Sequence, residues 1–244
     1  MIAITRKNRY SFKLLIGCIA LVSPSCFCSV RTMANETKPK NRSVADQMIK
    51  ADWPTPRGDA QSTGHADQTL PANLKVRWEY KADEAIETTP VVVGNRVFVA
   101  DVMGKVYAID RDKGTKIWEI DFKTGFLAAP AVNSGRLVIG DIDGKLYALD
   151  VATGKEFWRK STDGEMSGSV AFYGDKVLAT SQNGKLYCFQ LKDGVAVWTY
   201  QTNDQIRCSP TVAGDRTFLG GCDGQLHVVD LKTGKLVGES FELG

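Results

Sequence analysis

The feature that most constrains this chain is a gapless repeat of 40 residues. Asp101–Trp118 (DVMGKVYAIDRDKGTKIW) is followed by DIDGKLYALDVATGKEFW ending at Trp158, SQNGKLYCFQLKDGVAVW ending at Trp198 and GCDGQLHVVDLKTGKLVG ending at Gly238. One glycine recurs at Gly104, Gly144, Gly184 and Gly224, a second at Gly114, Gly154, Gly194 and Gly234, and a tryptophan at Trp118, Trp158 and Trp198. A sustained period of this kind means an array of like units, each burying its apolar faces against its neighbours.

The second repeat shows what one unit is. An apolar run over 126–132 meets the turn Asn133-Ser134-Gly135, and a β-branched strand follows over 136–140. Asp143-Gly144 is a hairpin signal. The segment 145–150 (KLYALD) alternates Leu146, Ala148 and Asp150 on one face with Tyr147 and Leu149 on the other, and 155–160 makes a fourth strand around Trp158. A sheet of four short strands with apolar residues on both faces is buried by stacking radially. The expectation is all-β: a β-propeller of four-stranded antiparallel blades over about 86–121, 126–161, 166–201 and 206–241. Turns rich in Gly and Asn, and strands rich in Val, Ile, Tyr and Trp, exclude helical repeats of similar length.

In Ala148-x-Asp150-x-x-Thr153-Gly154-x-x-x-Trp158 the chain resembles the A-x-D-x-x-T-G-x-x-x-W signature of pyrroloquinoline-quinone (PQQ) repeat propellers. The first repeat keeps Ala108, Asp110, Gly114 and Trp118; the third keeps Gly194 and Trp198; the fourth keeps Asp230, Thr233 and Gly234, with Gly238 in the tryptophan place. Trp53-Pro54-Thr55-Pro56-Arg57-Gly58-Asp59 is similar to the lead-in segment of such propellers, so its Arg-Gly-Asp is a fold feature and not an adhesion motif. WD40 repeats share the period but place tryptophan directly before the strand-terminal aspartate, where Ile109 and Leu149 stand here. The motif is structural. Asp150 sits where its side chain can accept backbone N–H groups of the turn, Gly154 suits a positive φ, and Trp158 is expected to wedge between blades, burying on the order of 200 Å².

Forty residues before Trp118 stands Trp78, inside Lys75–Tyr80. That segment has the look of a last strand with no first three, and the resemblance implies rings of seven or eight blades. Four blades are therefore expected to form an incomplete, open ring, with Lys75–Tyr80 poorly paired or packed on the first blade.

The 31 basic and 28 acidic residues become informative once divided. Residues 1–34 carry five of the basic ones and no acid; setting those aside leaves 26 against 28, a net −2. The basic balance belongs to the leader, and nucleic acid is not a partner. The leader has the form of an export signal: a basic stretch to Lys13, then an apolar run over 14–22 that is too short to span a bilayer. Cleavage after Ala34 or near Cys28 stays open, as does lipidation at Cys18 or Cys26. Residues 35–71 are polar and are expected to be an extended lead-in and linker, and 72–244 the propeller. The expected location is the periplasm or cell envelope, with membrane contact only through a lipid anchor or a partner.

Beyond the leader stand three cysteines, Cys188, Cys208 and Cys222, and two histidines, His65 and His227. That supports neither a disulfide framework nor a zinc site, and Cys208 is expected to be core packing. PQQ-dependent dehydrogenases, as the resemblance implies, hold the quinone on the axis with a stacked tryptophan, a vicinal cysteine pair and Glu, Asn and Asp ligands for calcium. No adjacent cysteines and no C-x-x-C-H motif occur here. No catalytic, cofactor or metal residue is assigned, no cofactor is expected, and the chain is expected not to be an enzyme. A non-enzymatic branch of the same family, including the lipoprotein subunit of the outer-membrane β-barrel assembly machinery, implies a binding scaffold for an envelope protein or a small ligand. The alternative is a fragment or degenerate relative of a PQQ-dependent dehydrogenase. Partner-facing candidates are the loops that enter each first strand (84–89, 124–129, 164–169 and 204–209), with Glu87 and Arg207 as their charged members.

Overall fold

The structure, a computed structural model, describes residues 2–5, 11–13, 52–66 and 68–243. Strands β1 (Ile2–Thr5), β2 (Ser11–Lys13) and β3 (Trp78–Lys81) precede four sets of four. Blade one holds β4 (Val91–Val93), β5 (Arg96–Ala100), β6 (Lys105–Asp110) and β7 (Lys116–Asp121). Blade two holds β8 (Ala131–Asn133), β9 (Arg136–Gly140), β10 (Lys145–Asp150) and β11 (Glu156–Ser161). Blade three holds β12 (Ala171–Tyr173), β13 (Lys176–Thr180), β14 (Lys185–Gln190) and β15 (Ala196–Gln201). Blade four holds β16 (Thr211–Ala213), β17 (Arg216–Gly220), β18 (Gln225–Asp230) and β19 (Phe241–Glu242). Each set is one antiparallel sheet in chain order.

Local chemistry sets the register. Asn133 pairs with Arg136 across a two-residue turn whose Ser134 and Gly135 both have positive φ, the primed geometry that matches strand twist. On β9, Leu137 and Ile139 join the core shared with blade one, while Val138 joins the core shared with blade three. The two-residue period thus feeds two junctions at once. Separate cores form between β3 and blade one, and at the junctions of blades one and two, two and three, and three and four. Among the described residues no core joins blade four to blade one, so the blades form an open arc.

The last strand of blade four departs from the repeat. In blade two, Leu149 pairs with Glu156 and Leu146 with Lys160. In blade four, Val229 bridges Leu236, but Leu226 pairs with Phe241, one residue later than the frame requires. The extra residue follows Gly238, whose φ is +71°. Phe241 thereby takes the place held by Lys160 and stands 58% exposed.

Two segments lie outside the four blades, and the first packs on blade one as expected. Trp78–Lys81 packs on blade one and is also paired on its edge, in parallel, by Ile2–Thr5; an open strand edge accepts another extended segment. The lead-in over 52–64 is tied to three of the blades by backbone hydrogen bonds. It crosses the inner strands as a strap: Trp53 and Val92 exchange both backbone bonds, Val132 N–H donates to Pro54 O, and Val212 N–H donates to Ala60 O. Arg57 Nε donates to Ser62 O, and Asp59 accepts from the Thr63 hydroxyl and amide, which folds the strap on itself and lowers the Asp59 carboxyl below its ordinary range. The apolar run 14–22 and the cleavage and lipidation positions lie outside the described residues.

Candidate functional site

The motif residues meet across blade junctions and not within one blade. Trp158 is 7% exposed, and its Nε1 donates to Leu191 O of the next blade at 3.0 Å. Trp78, Trp118 and Trp198 donate likewise to Arg111, Val151 and Leu231. The ring lies flat on the next blade's glycine: a Cβ at Gly194 would stand 2.8 Å from the Trp158 ring, and the same holds for Gly114 under Trp78, Gly154 under Trp118 and Gly234 under Trp198. Asp150 Oδ1 accepts from the amides of Ala152 and Thr153 and from the Thr153 hydroxyl, which holds its carboxyl below the ordinary range. Asp110 and Asp230 close their turns in the same way. In blade three Gln190 holds this place, and the Gly194 amide bonds to its carbonyl. These residues build the frame.

The loops entering each first strand and the β5–β6 type hairpins share one end of the arc. In blades one and two the hairpin is fixed by a buried carboxylate. Asp101 Oδ1 accepts from the amides of Met103 and Lys105, and Tyr107 donates to Asp101 Oδ2 at 2.8 Å; Tyr147 and Asp141 repeat this bond. Burial first, and the hydrogen bond to the aspartate second, push both tyrosine hydroxyls far above their ordinary range, so they remain donors. With Asp101 and Asp141 fully buried, the hairpins are rigid platforms.

Between the first two platforms lies an open cleft of about 540 Å³. Met103 and Ile142 supply its apolar walls and are 62% and 41% exposed; Leu127, on the loop beside it, is 40% exposed. Glu84, Lys105, Asp121 and Lys123 make the charged rim, where Lys105 pairs with Asp83 and Lys123 with Asp121. The equivalent end of blades three and four is polar, with Gln182 bonded to Glu165 and Arg207 to Gln205. Glu87 and Arg207 are both exposed, on the loops of blades one and four, and neither lines the cleft. Met103 and Ile142 were missed in the sequence because they sit inside the repeat frame. Their signal was an apolar side chain at a hairpin tip: Asn183 and Asp223 stand in later repeats where Met103 does, and Gln182 and Cys222 where Ile142 does. Cys188 is buried, its thiol pushed up to about 12 by burial, and Cys208 and Cys222 are free. No group of His, Cys, Asp and Glu suited to a metal occurs among the described residues.

Similar proteins share the fold. BamB from Moraxella catarrhalis superposes with a TM-score of 0.60 at 22% identity over 65% of this chain and 51% of its own. Quinohemoprotein alcohol dehydrogenase from Comamonas testosteroni gives 0.67 at 22% identity, over 80% and 41%. In sequence, quinohemoprotein alcohol dehydrogenase of the same organism is 37% identical over 86 residues, 31% of this chain and 12% of that protein. The chain therefore spans about half or less of each of these proteins. Residues 102–241, more than half of the chain, match the family described as outer membrane protein assembly factor BamB, and the chain belongs to that family.

Proposed function

We propose that the chain is a non-catalytic, exported scaffold of the cell envelope that holds a protein partner on the loop end of blades one and two. The observation that carries this is the Met103–Ile142 cleft: apolar side chains held in water by hairpins locked on Asp101 and Asp141, ringed by charge. Exposed apolar surface on a rigid frame with a polar rim suits protein docking. The strap over the inner strands fits the same reading, since it spends the axial backbone groups on structure. A photo-crosslinking residue at Met103 is expected to capture one envelope protein, and the same residue at Lys155, on the opposite end, none. A Met103→Asp/Ile142→Asp variant that still folds should bind at least about tenfold more weakly, about 1.4 kcal/mol. Equal capture at both ends would overturn the assignment.

The second reading, a fragment or degenerate relative of a PQQ-dependent dehydrogenase, draws on the 37% identity to the Comamonas enzyme. Titration with PQQ and calcium separates the two. A saturable change in quinone absorbance favours the dehydrogenase relative, and a flat titration the scaffold.

A further inference from the structure

Blade four rewrites the lock that the first two blades share. Gly221 stands where Asp101 and Asp141 stand, the acid has moved two residues on to Asp223, and His227 replaces Tyr107 and Tyr147. The imidazole lies between two partners: Nε2 is 3.1 Å from Asp223 Oδ2, and Nδ1 is 2.9 Å from the hydroxyl of Tyr200 on β15 of the preceding blade. The side chains of His227 and Asp223 are 4% and 7% exposed. Leu219 pairs with His227 on the neighbouring strand, and β19 brings only the exposed Glu242, opposite Gln225. Asp223 and Tyr200 are thus the titratable groups that face the ring.

The chemistry of these partners sets the hydrogens. A carboxylate only accepts, so in neutral His227 the proton sits on Nε2 and Nδ1 must accept from the Tyr200 hydroxyl. Burial, and then the Asp223 charge, raise the Tyr200 hydroxyl above its ordinary range. Burial would raise Asp223 too, but the Gln225 and Asn203 amides and the His227 ring outweigh it and hold the carboxyl below its ordinary range. Between pH 8 and pH 5, Tyr200 therefore stays a phenol and Asp223 a carboxylate.

We propose that Asp223, His227 and Tyr200 form a proton-operated relay that couples the loop end of blade four to blade three. A proton taken from solvent goes to Nδ1. The contact with Asp223 becomes an ion pair, and the bond to Tyr200 reverses: Nδ1–H now donates, and the hydroxyl must turn round to accept, leaving its own hydrogen without the ring as acceptor. Asp223 also accepts from the amides of Gln225, in its own hairpin, and Asn203, in the loop from blade three, at 3.1 and 3.2 Å. A change at the ring is therefore transmitted to both connections at this end of the arc. Asp101 and Asp141, paired with tyrosines, have no such response.

The chain holds two histidines, so NMR titration of the whole protein from pH 8 to pH 5 resolves them, with His65 as the exposed reference. The amide signals of Asn203 and Gln225 are expected to shift with the same midpoint as the His227 ring, while those of Met103 and Lys105, at the tyrosine version of the lock, stay still. His227→Tyr, which copies blades one and two, should abolish the shift. Tyr200→Phe should keep the shift at Gln225 and remove it from the amides of β15. Asn203 and Gln225 signals that ignore the His227 midpoint would overturn the relay. So would a β15 response unchanged in Tyr200→Phe, which stands even if His227→Tyr fails to fold.

Discussion

At the scale of single residues, the repeat signature works as a set of contacts between blades. The tryptophan of one blade and the turn glycine of the next are two halves of one joint: the ring lies where a Cβ would be, and its N–H donates to the carbonyl one position beyond the residue that closes the turn, Asp110, Asp150, Gln190 or Asp230. Trp158→Ala is expected to cost about 3–5 kcal/mol, measured by denaturant unfolding. Gly194→Ala should be destabilising twice over, because its methyl meets the Trp158 ring and its φ of +70° disfavours any side chain. Asp150 supplies a pH dependence with a definite sign. Its folded carboxyl lies below the ordinary range, through the Thr153 hydroxyl first, so its contribution is present above the unfolded value and is lost as pH falls through the folded one. Asp150→Asn keeps an oxygen acceptor for the turn, and the melting temperature of that variant should fall less steeply below about pH 4. Glu87 and Arg207 show the limit of reading charges in loops: both are exposed, but the apolar wall between the loops was contributed by hairpin tips.

At the scale of elements, the four blades are unequal for reasons written in their last strands. Blades one to three end in six-residue strands anchored by Trp118, Trp158 and Trp198. In blade four the strand is cut to Phe241–Glu242 by the extra residue after Gly238, so β18 keeps only part of its edge paired. Fewer ladder bonds and a missing wedge lower the cost of local opening. Blade four is expected to show the fastest amide exchange of the four, and uniform protection across the blades would contradict this. Strand positions and turn types were legible in the repeat because hairpin chemistry is local. The slipped register was not, since one added residue in a short strand looks the same whether it bulges or frays.

At the scale of the whole molecule, the strap links blades that are far apart in the chain. Val92 of blade one, Val132 of blade two and Val212 of blade four all bond to the segment 53–60. Trp53, whose ring packs on Gly58 and whose Nε1 donates to Pro56 O, holds that segment in shape. Trp53→Ala should speed hydrogen exchange at Val92, Val132 and Val212 together; acceleration at Val92 alone would mean that the strap does not act as a unit. The outer face of blade four presents Phe241 and Leu243, each 58% exposed, and such surface promotes association. Phe241→Asp/Leu243→Asp is expected to lower self-association in sedimentation at micromolar protein without changing the circular dichroism. Removal of a leader ending at residue 34 would also free the edge of Trp78–Lys81 that Ile2–Thr5 covers.

The amino-acid sequence by itself determined the all-β class, the 40-residue blade and its turns, because each follows from hairpins and from neighbours one repeat away. Only the tertiary structure decided which residues meet across that spacing. The pairing of Trp158 with Gly194, the strap on Val92, Val132 and Val212, and the cleft between Met103 and Ile142 all depend on how the blades are rotated about their axis. That rotation is set by packing volumes at the junctions, a property of many side chains together that a linear period does not carry.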